Sequence, residues 1–316
     1  MSDFGKDSTA DEVLDGIDLS GRTVFVTGGN SGLGKEAARA MAQSGAHIVL
    51  AGRDADALDE AVGDILREVK GAHVDTMVCD LASLASVEAC AREASERFDR
   101  IDVLMNNAGI MACPFGHTAD GFERQLGTNH IGHFALTEGL LPLLEKGDAP
   151  RIVVLSSLAH IRSDIDWDDP HFERREYDKQ VAYGQSKTAN ALHAVALDAR
   201  LKDRGIRAAS VHPGGIVTNL GRHLTDEDRT ALMARMAKLA EAGMAMKTVP
   251  QGAATQVWAA TRLNIEAHGG AYCENCRVAE VKEESIADGV RPYAIDPAAA
   301  ERLWGMTEDM IAAARR

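Results

Sequence analysis

Residues 22–34 read RTVFVTGGNSGLG: a β-rich run from Arg22 to Thr27, a glycine turn through Gly28, Gly32 and Gly34, and the start of a helical stretch that continues to about Ser44. A strand that passes through glycines into a helix N-terminus can present free backbone N–H groups, and a partial positive charge, to a phosphate. The glycines permit both the tight turn and a close approach to a pyrophosphate. Such a turn also serves simply to join a strand to a helix. Its place after the first strand favours the phosphate reading.

Outward from this stretch, strands and helices alternate. Further β-rich runs occupy 47–51, 74–78, 101–105, 151–155 and 207–211, with helical patterns over 55–70, 83–97, 119–145 and 180–203. The alternation predicts an α/β chain with a doubly wound parallel sheet and helices on both faces, a single-domain Rossmann fold. Residues 1–20 are polar and acidic and read as a flexible N-terminal arm, leaving 21–316 as one domain. Two segments interrupt the alternation: 158–182, with Asp164, Asp166, Asp168 and Asp169 around Trp167, and 219–249, with Met233, Met236, Met244 and Met246. Both follow sheet strands and should emerge on the substrate side, at the carboxyl edge.

Composition narrows the partners. Hydrophobic residues make up 45% of the chain, enough for a sizeable core, while aromatics make up only 4%, which suits close helix–sheet packing. The net charge of −14 disfavours nucleic acid and anionic membranes. No apolar run approaches the roughly 18 residues of a spanning helix, and no secretory signal opens the chain, so a cytoplasmic protein is expected. The odd cysteine count argues against a disulfide framework. Cys273 and Cys276 have metal-ligand spacing but no second pair, and read as reduced thiols at a strand end; no metal is assigned.

Position 53 bears on the cofactor. A carboxylate ending the second strand would bind a ribose 2′-OH, but here Gly52 is followed by Arg53, which can pair with the 2′-phosphate of NADP. Asp54 and Asp56 follow, and keep NAD open. Asp80-Leu81 follows the third strand, where its carboxylate suits either an adenine amino group or a helix N-cap. Asn106-Asn107-Ala108-Gly109 ends the fourth, with small residues to lie against a cofactor and amides to tie strands together.

Tyr183 and Lys187 are four residues apart in a helical stretch and share one face. A cation about 4 Å from a phenol at an effective dielectric near 20 contributes roughly 4 kcal/mol, or about three pKa units. Before any desolvation opposes it, that would bring the phenol near neutrality for proton exchange. Ser156 or Ser157, at the end of the fifth strand, can donate to a substrate oxygen. Asn129, inside a long helix, needs partners: either a water leading from Lys187 to solvent, or backbone. His130 and His133 lie nearby without a third ligand.

In this order TGGNSGLG (27–34), NNAG (106–109), Asn129, SS (156–157), YGQSK (183–187) and HPGGIVT (212–218) resemble the short-chain dehydrogenase/reductase family, over about residues 21–275. The resemblance implies a catalytic tetrad of Asn129, Ser157, Tyr183 and Lys187, with Ser157 preferred to Ser156 as the second serine. It implies cofactor contacts from Gly28, Asn30, Ser31, Gly32, Leu33, Gly34, Arg53, Asp80, Leu81, Asn107, Ala108, Gly109, Tyr183, Lys187, Pro213, Gly214, Ile216 and Thr218. The stretches AYGQSKTAN (182–190) and VHPGGIVTNLGRH (211–223) are similar to the retinol dehydrogenase and WW-domain oxidoreductase-like branch. The expected reaction is reversible hydride transfer between NADP(H) and a secondary alcohol or carbonyl on a bulky lipophilic molecule. The rivals are a carbon–carbon double-bond reductase of protochlorophyllide-reductase type and a non-catalytic NADP-binding regulator. The family also implies a homodimer or homotetramer paired through the helices at 119–145 and 180–203.

Overall fold

The computed structural model describes residues 4–241 and 246–316. Among these, eight strands form one sheet: β1 (Thr23–Thr27), β2 (His47–Gly52), β3 (Val74–Val78), β4 (Val103–Asn106), β5 (Arg151–Leu155), β6 (Arg207–His212), β7 (Tyr272–Glu274) and β8 (Arg277–Val278). Their order is β3-β2-β1-β4-β5-β6-β7-β8, and every pair is parallel except the terminal β7–β8 hairpin.

The helices are α1 (Ala10–Leu14), α2 (Gly32–Gln43), α3 (Ala55–Glu68), α4 (Leu84–Arg97), α5 (Arg124–Leu126), α6 (Gly132–Leu144), α7 (Lys179–Leu201), α8 (Asp226–Glu241), α9 (Val249–Thr261), α10 (Ile265–His268) and α11 (Pro297–Ala314). Alternate strand residues serve opposite faces. Phe25, Val49, Leu104, Ile152 and Val154 pack with α4, α6, α7 and α11. Val24, Val26, Ile48, Leu50 and Met105 pack with α1, α2, α3 and α9. The strand order reverses between β1 and β4, which opens a crevice at their carboxyl ends.

The N-terminal arm is not a free tail. Residues 10–14 form α1, started by a reciprocal cap in which Glu12 N donates to Thr9 Oγ1 (3.2 Å) and Thr9 N donates to Glu12 Oε2 (2.8 Å). Ala10 and Val13 are fully buried in the α2–α9 core, and Arg39 holds Asp11 at 2.7 Å.

The single helix expected over 119–145 is also corrected. Gly121 turns the chain at a φ of 88°. The buried Glu123 carboxylate then accepts from Gln125 N (2.9 Å) and Leu126 N (2.7 Å) to start α5. A π-turn spans Gly127–Ile131 before α6. Neither Cys273 nor Cys276 forms a disulfide; both thiols are buried beside the two-residue β7–β8 turn. Of the methionines at 219–249, Met244 lies outside the described residues, whereas Met233 and Met246 are exposed.

Candidate active site

The glycine turn is built by exclusion. A Cβ on Gly28, whose φ is +64°, would lie 2.9 Å from Ala108 Cα, and one on Gly34 would lie 2.5 Å from Gly28 O. Only glycine lets β1 and β4 end this close. A Cβ on Gly32, at φ +55°, would make only ordinary contact, with Thr218 Cγ2 at 3.5 Å. Ser31 makes no side-chain cap and the first turn of α2 has no acidic residue, so its N–H groups are left for a ligand.

These groups face a cavity of about 640 Å³. Its lining includes Gly28, Asn30, Ser31, Gly32, Leu33, Arg53, Asp80, Leu81, Asn107, Ala108, Gly109 and Thr218. Its size, uncapped helix N-terminus and cationic rim fit a dinucleotide. Gly34, Tyr183, Lys187, Pro213, Gly214 and Ile216, also expected as cofactor contacts, are not among the lining residues. Gly34 is the close-packing glycine, and Ile216 fills the space beside Gly252 and Leu33. Asp80 does not cap α4, a task that falls to Ser83; its Oδ1 accepts from Ala82 N at 3.0 Å.

Beyond Gly109 lies a buried polar cluster. Lys187 donates from Nζ to the Leu155 carbonyl (2.9 Å), and Nζ stands 5.7 Å from the centre of the Tyr183 ring. The Tyr183 phenol hydrogen-bonds Ser157, whose Oγ also accepts from Ala159 N at 3.1 Å. Ser156 is turned away, donating to the Lys187 carbonyl (2.7 Å). Asn129 Nδ2 donates to Ile110 O (3.0 Å) and Ser186 Oγ (2.9 Å), and its Oδ1 accepts from Ile110 N (2.8 Å). The amide is thus spent on protein groups.

The electrostatics reverse one expectation. Burial pushes the Tyr183 phenol up to about 12, although the bond to Ser157 acts against it. Burial also pulls the Lys187 ammonium down to about 7. The lowered phenol inferred from the Tyr–Lys spacing counted a charged lysine before any desolvation opposed it. Here both groups are sealed from water, and the neutral form of each gains.

Other participants went unrecognised in the sequence. Thr27 Oγ1 accepts from Asn107 N (2.9 Å) and Ala108 N (3.0 Å) at the cavity wall. His212 Nδ1 accepts from Leu158 N (3.1 Å), tying the serine loop to the end of β6. His160 receives Arg291 N on Nε2 (3.1 Å) and donates from Nδ1 to Ser157 O (2.8 Å). In the insert, Asp166 N donates to Gln185 Oε1 (3.0 Å) and Gln185 Nε2 to Pro170 O (2.8 Å), which fastens the insert to α7.

The family model for short chain dehydrogenases matches residues 22–229, from β1 past the Thr218 turn. The chain belongs to the short-chain dehydrogenase family. This short-chain dehydrogenase is 45% identical over 205 residues to human retinol dehydrogenase 13, covering 65% of the chain and 62% of that relative. It is 37% identical to human retinol dehydrogenase 14, covering 93% of the chain and 87% of the relative. Among solved structures it is similar to an uncharacterized protein from Mycobacterium paratuberculosis (TM-score 0.68, 32% identity, 93% of this chain and 94% of the other).

Proposed function

We propose that this chain reversibly interconverts a secondary alcohol and a carbonyl on a bulky lipophilic molecule, with NADP(H) as the preferred cofactor. The observation that carries this reading is the buried Ser157–Tyr183–Lys187 cluster behind Gly109, a residue that lines a cavity suited to a dinucleotide. The cofactor, when bound, exchanges a hydride with the substrate carbon. Tyr183 holds its proton at neutral pH and is ready to deliver it to a carbonyl oxygen. Ser157 orients that oxygen and donates to it as negative charge develops. Lys187, anchored on Leu155 O, favours the phenolate when it carries its own proton. Asn129 braces the loop at Ile110 against α7.

A lipophilic substrate is supported by Val217, Leu232, Met233 and Met246, apolar and exposed on the segment that follows β6. The NADP preference is supported by Arg53 on the cavity wall, with no carboxylate at position 52. The similarity to retinol dehydrogenases 13 and 14 supports an alcohol/carbonyl reaction. The test is a panel of lipophilic ketones and aldehydes with NADPH and NADH, with product identification. Alcohol products formed faster with NADPH are expected; saturated carbonyl products would replace this reading with double-bond reduction.

A further inference from the structure

The cavity that suits the cofactor carries more basic groups than Arg53. Arg222 and His223, on the short turn Asn219–His223 that follows Thr218, line it too, as does Arg124 at the start of α5. Arg222 is near enough to Arg53, and His223 near enough to Arg53, Arg124 and Arg222, for the charges to oppose one another's protonation.

Among the described residues no ion pair joins any of the four to a carboxylate, and Arg222 uses one N–H on the Asn219 carbonyl at 3.2 Å. The two carboxylates of the cavity wall are engaged elsewhere: Asp54 caps α3 through Ala57 N (3.1 Å), and Asp80 holds Ala82 N (3.0 Å). This stands out in a chain whose net charge is −14. Arg39, Arg97, Arg200 and Arg204 all find carboxylates. Gathering like charges without partners is unfavourable unless an anion comes between them.

We propose that Arg222 is a second ligand for the cofactor's 2′-phosphate, acting together with Arg53. The position fits a phosphomonoester better than the pyrophosphate. The pyrophosphate is provided for by the uncapped N–H groups of α2, whereas Arg53 stands at the end of β2, where the adenosine ribose comes to lie. A dianion between two guanidiniums relieves their repulsion and offers each a bidentate contact. The turn 219–223 would then couple phosphate recognition to the segment that leads into the substrate side. This inference rests on the NADP reading above.

The experiment titrates the full chain and its Arg53→Ala and Arg222→Ala variants with NADPH and NADH, following nicotinamide fluorescence. Calorimetry with 2′-phospho-ADP-ribose and ADP-ribose repeats the comparison without the nicotinamide, and circular dichroism checks the fold. Arg222→Ala is expected to weaken NADPH and 2′-phospho-ADP-ribose by about tenfold or more, and NADH and ADP-ribose by less than about twofold. Equal weakening of both pairs would mean a pyrophosphate contact and would overturn the proposal. Unchanged binding of all four, with Arg53→Ala still selective against NADPH, would overturn it while leaving the NADP reading intact. A wild-type chain indifferent to the 2′-phosphate would remove both.

Discussion

The imidazole of His133 joins the end of β1 to the π-turn that carries Asn129: its Nε2 lies 2.8 Å from Thr27 Oγ1 and its Nδ1 2.9 Å from the Asn129 carbonyl oxygen. A carbonyl can only accept, so Nδ1 bears the proton and Nε2 receives the Thr27 hydroxyl. Thr27 Oγ1 in turn accepts from the N–H groups of Asn107 and Ala108. One neutral side chain therefore sets the cavity wall against the loop of Asn129. His133→Phe leaves a buried hydroxyl and a buried carbonyl without this partner. A loss of about 2–4 kcal/mol is expected, read from urea unfolding with turnover measured alongside. A loss under about 0.5 kcal/mol would show that the bridge contributes nothing.

Acid should unfold this protein through its histidines. Burial holds His133 and His160 down to about 4, and His130 and His212 down to about 3. An unfolded chain protonates each imidazole near pH 6.5. Below that pH the unfolded state binds more protons than the folded one, so stability falls as pH drops. Each imidazole contributes up to about 1.4 kcal/mol per pH unit until its folded pKa is reached. Urea midpoints measured from about pH 7.5 to 4.5 should decline steadily below pH 6.5. A flat profile across that window is the contrary result.

How much of this was legible in the sequence depended on range. Six strands could be read because each is a short, β-rich run, and the glycine turn because its spacing is local, whereas β7 and β8, of three and two residues, are too short to show a pattern. The five residues of α1 are too few to show a period; they are held by docking on α9. The break at 119–131 depends on Glu123 and on the Tyr177 hydroxyl, which donates to Glu123 Oε1 at 3.2 Å across an intervening strand and insert. The direction of the Tyr183 shift was misread because spacing reports the neighbour at Lys187 but not the loss of water around both groups. Arg222 and Arg53 come to line one cavity only in three dimensions.

Tyr183→Phe tests the proton donor with little change in shape. With the phenol pushed up to about 12, the protein is protonated for reduction throughout the neutral range. Carbonyl reduction should hold level from about pH 6 to 8, whereas alcohol oxidation, which needs the phenolate, should rise with pH. The variant should lose about 10²-fold or more in turnover while NADPH fluorescence titrations stay within about twofold of wild type. A variant that keeps a tenth of the activity or more would exclude Tyr183 as the proton donor.

The pairing of α6 and α7 between subunits, implied by the family resemblance, meets an obstacle in α11. That helix lies across both within one chain. His130 Nε2 stands 3.0 Å from Thr307 Oγ1, and the Trp304 ring lies 4.6 Å from Phe134 and 6.0 Å from His193, centre to centre. Arg200 reaches over Trp304 and pairs with Glu301 at 2.6 Å. Leu303, Trp304 and Thr307 are all buried in this contact, so a second copy could use the same face only by displacing α11. Light scattering should therefore give a mass near the 33.8 kDa of one chain at micromolar concentration. Trp304→Ala should cost about 3–5 kcal/mol of stability, because it empties the centre of the contact. A dimer that persists on dilution, together with a tolerated Trp304→Ala, would mean that α11 does not seal this face.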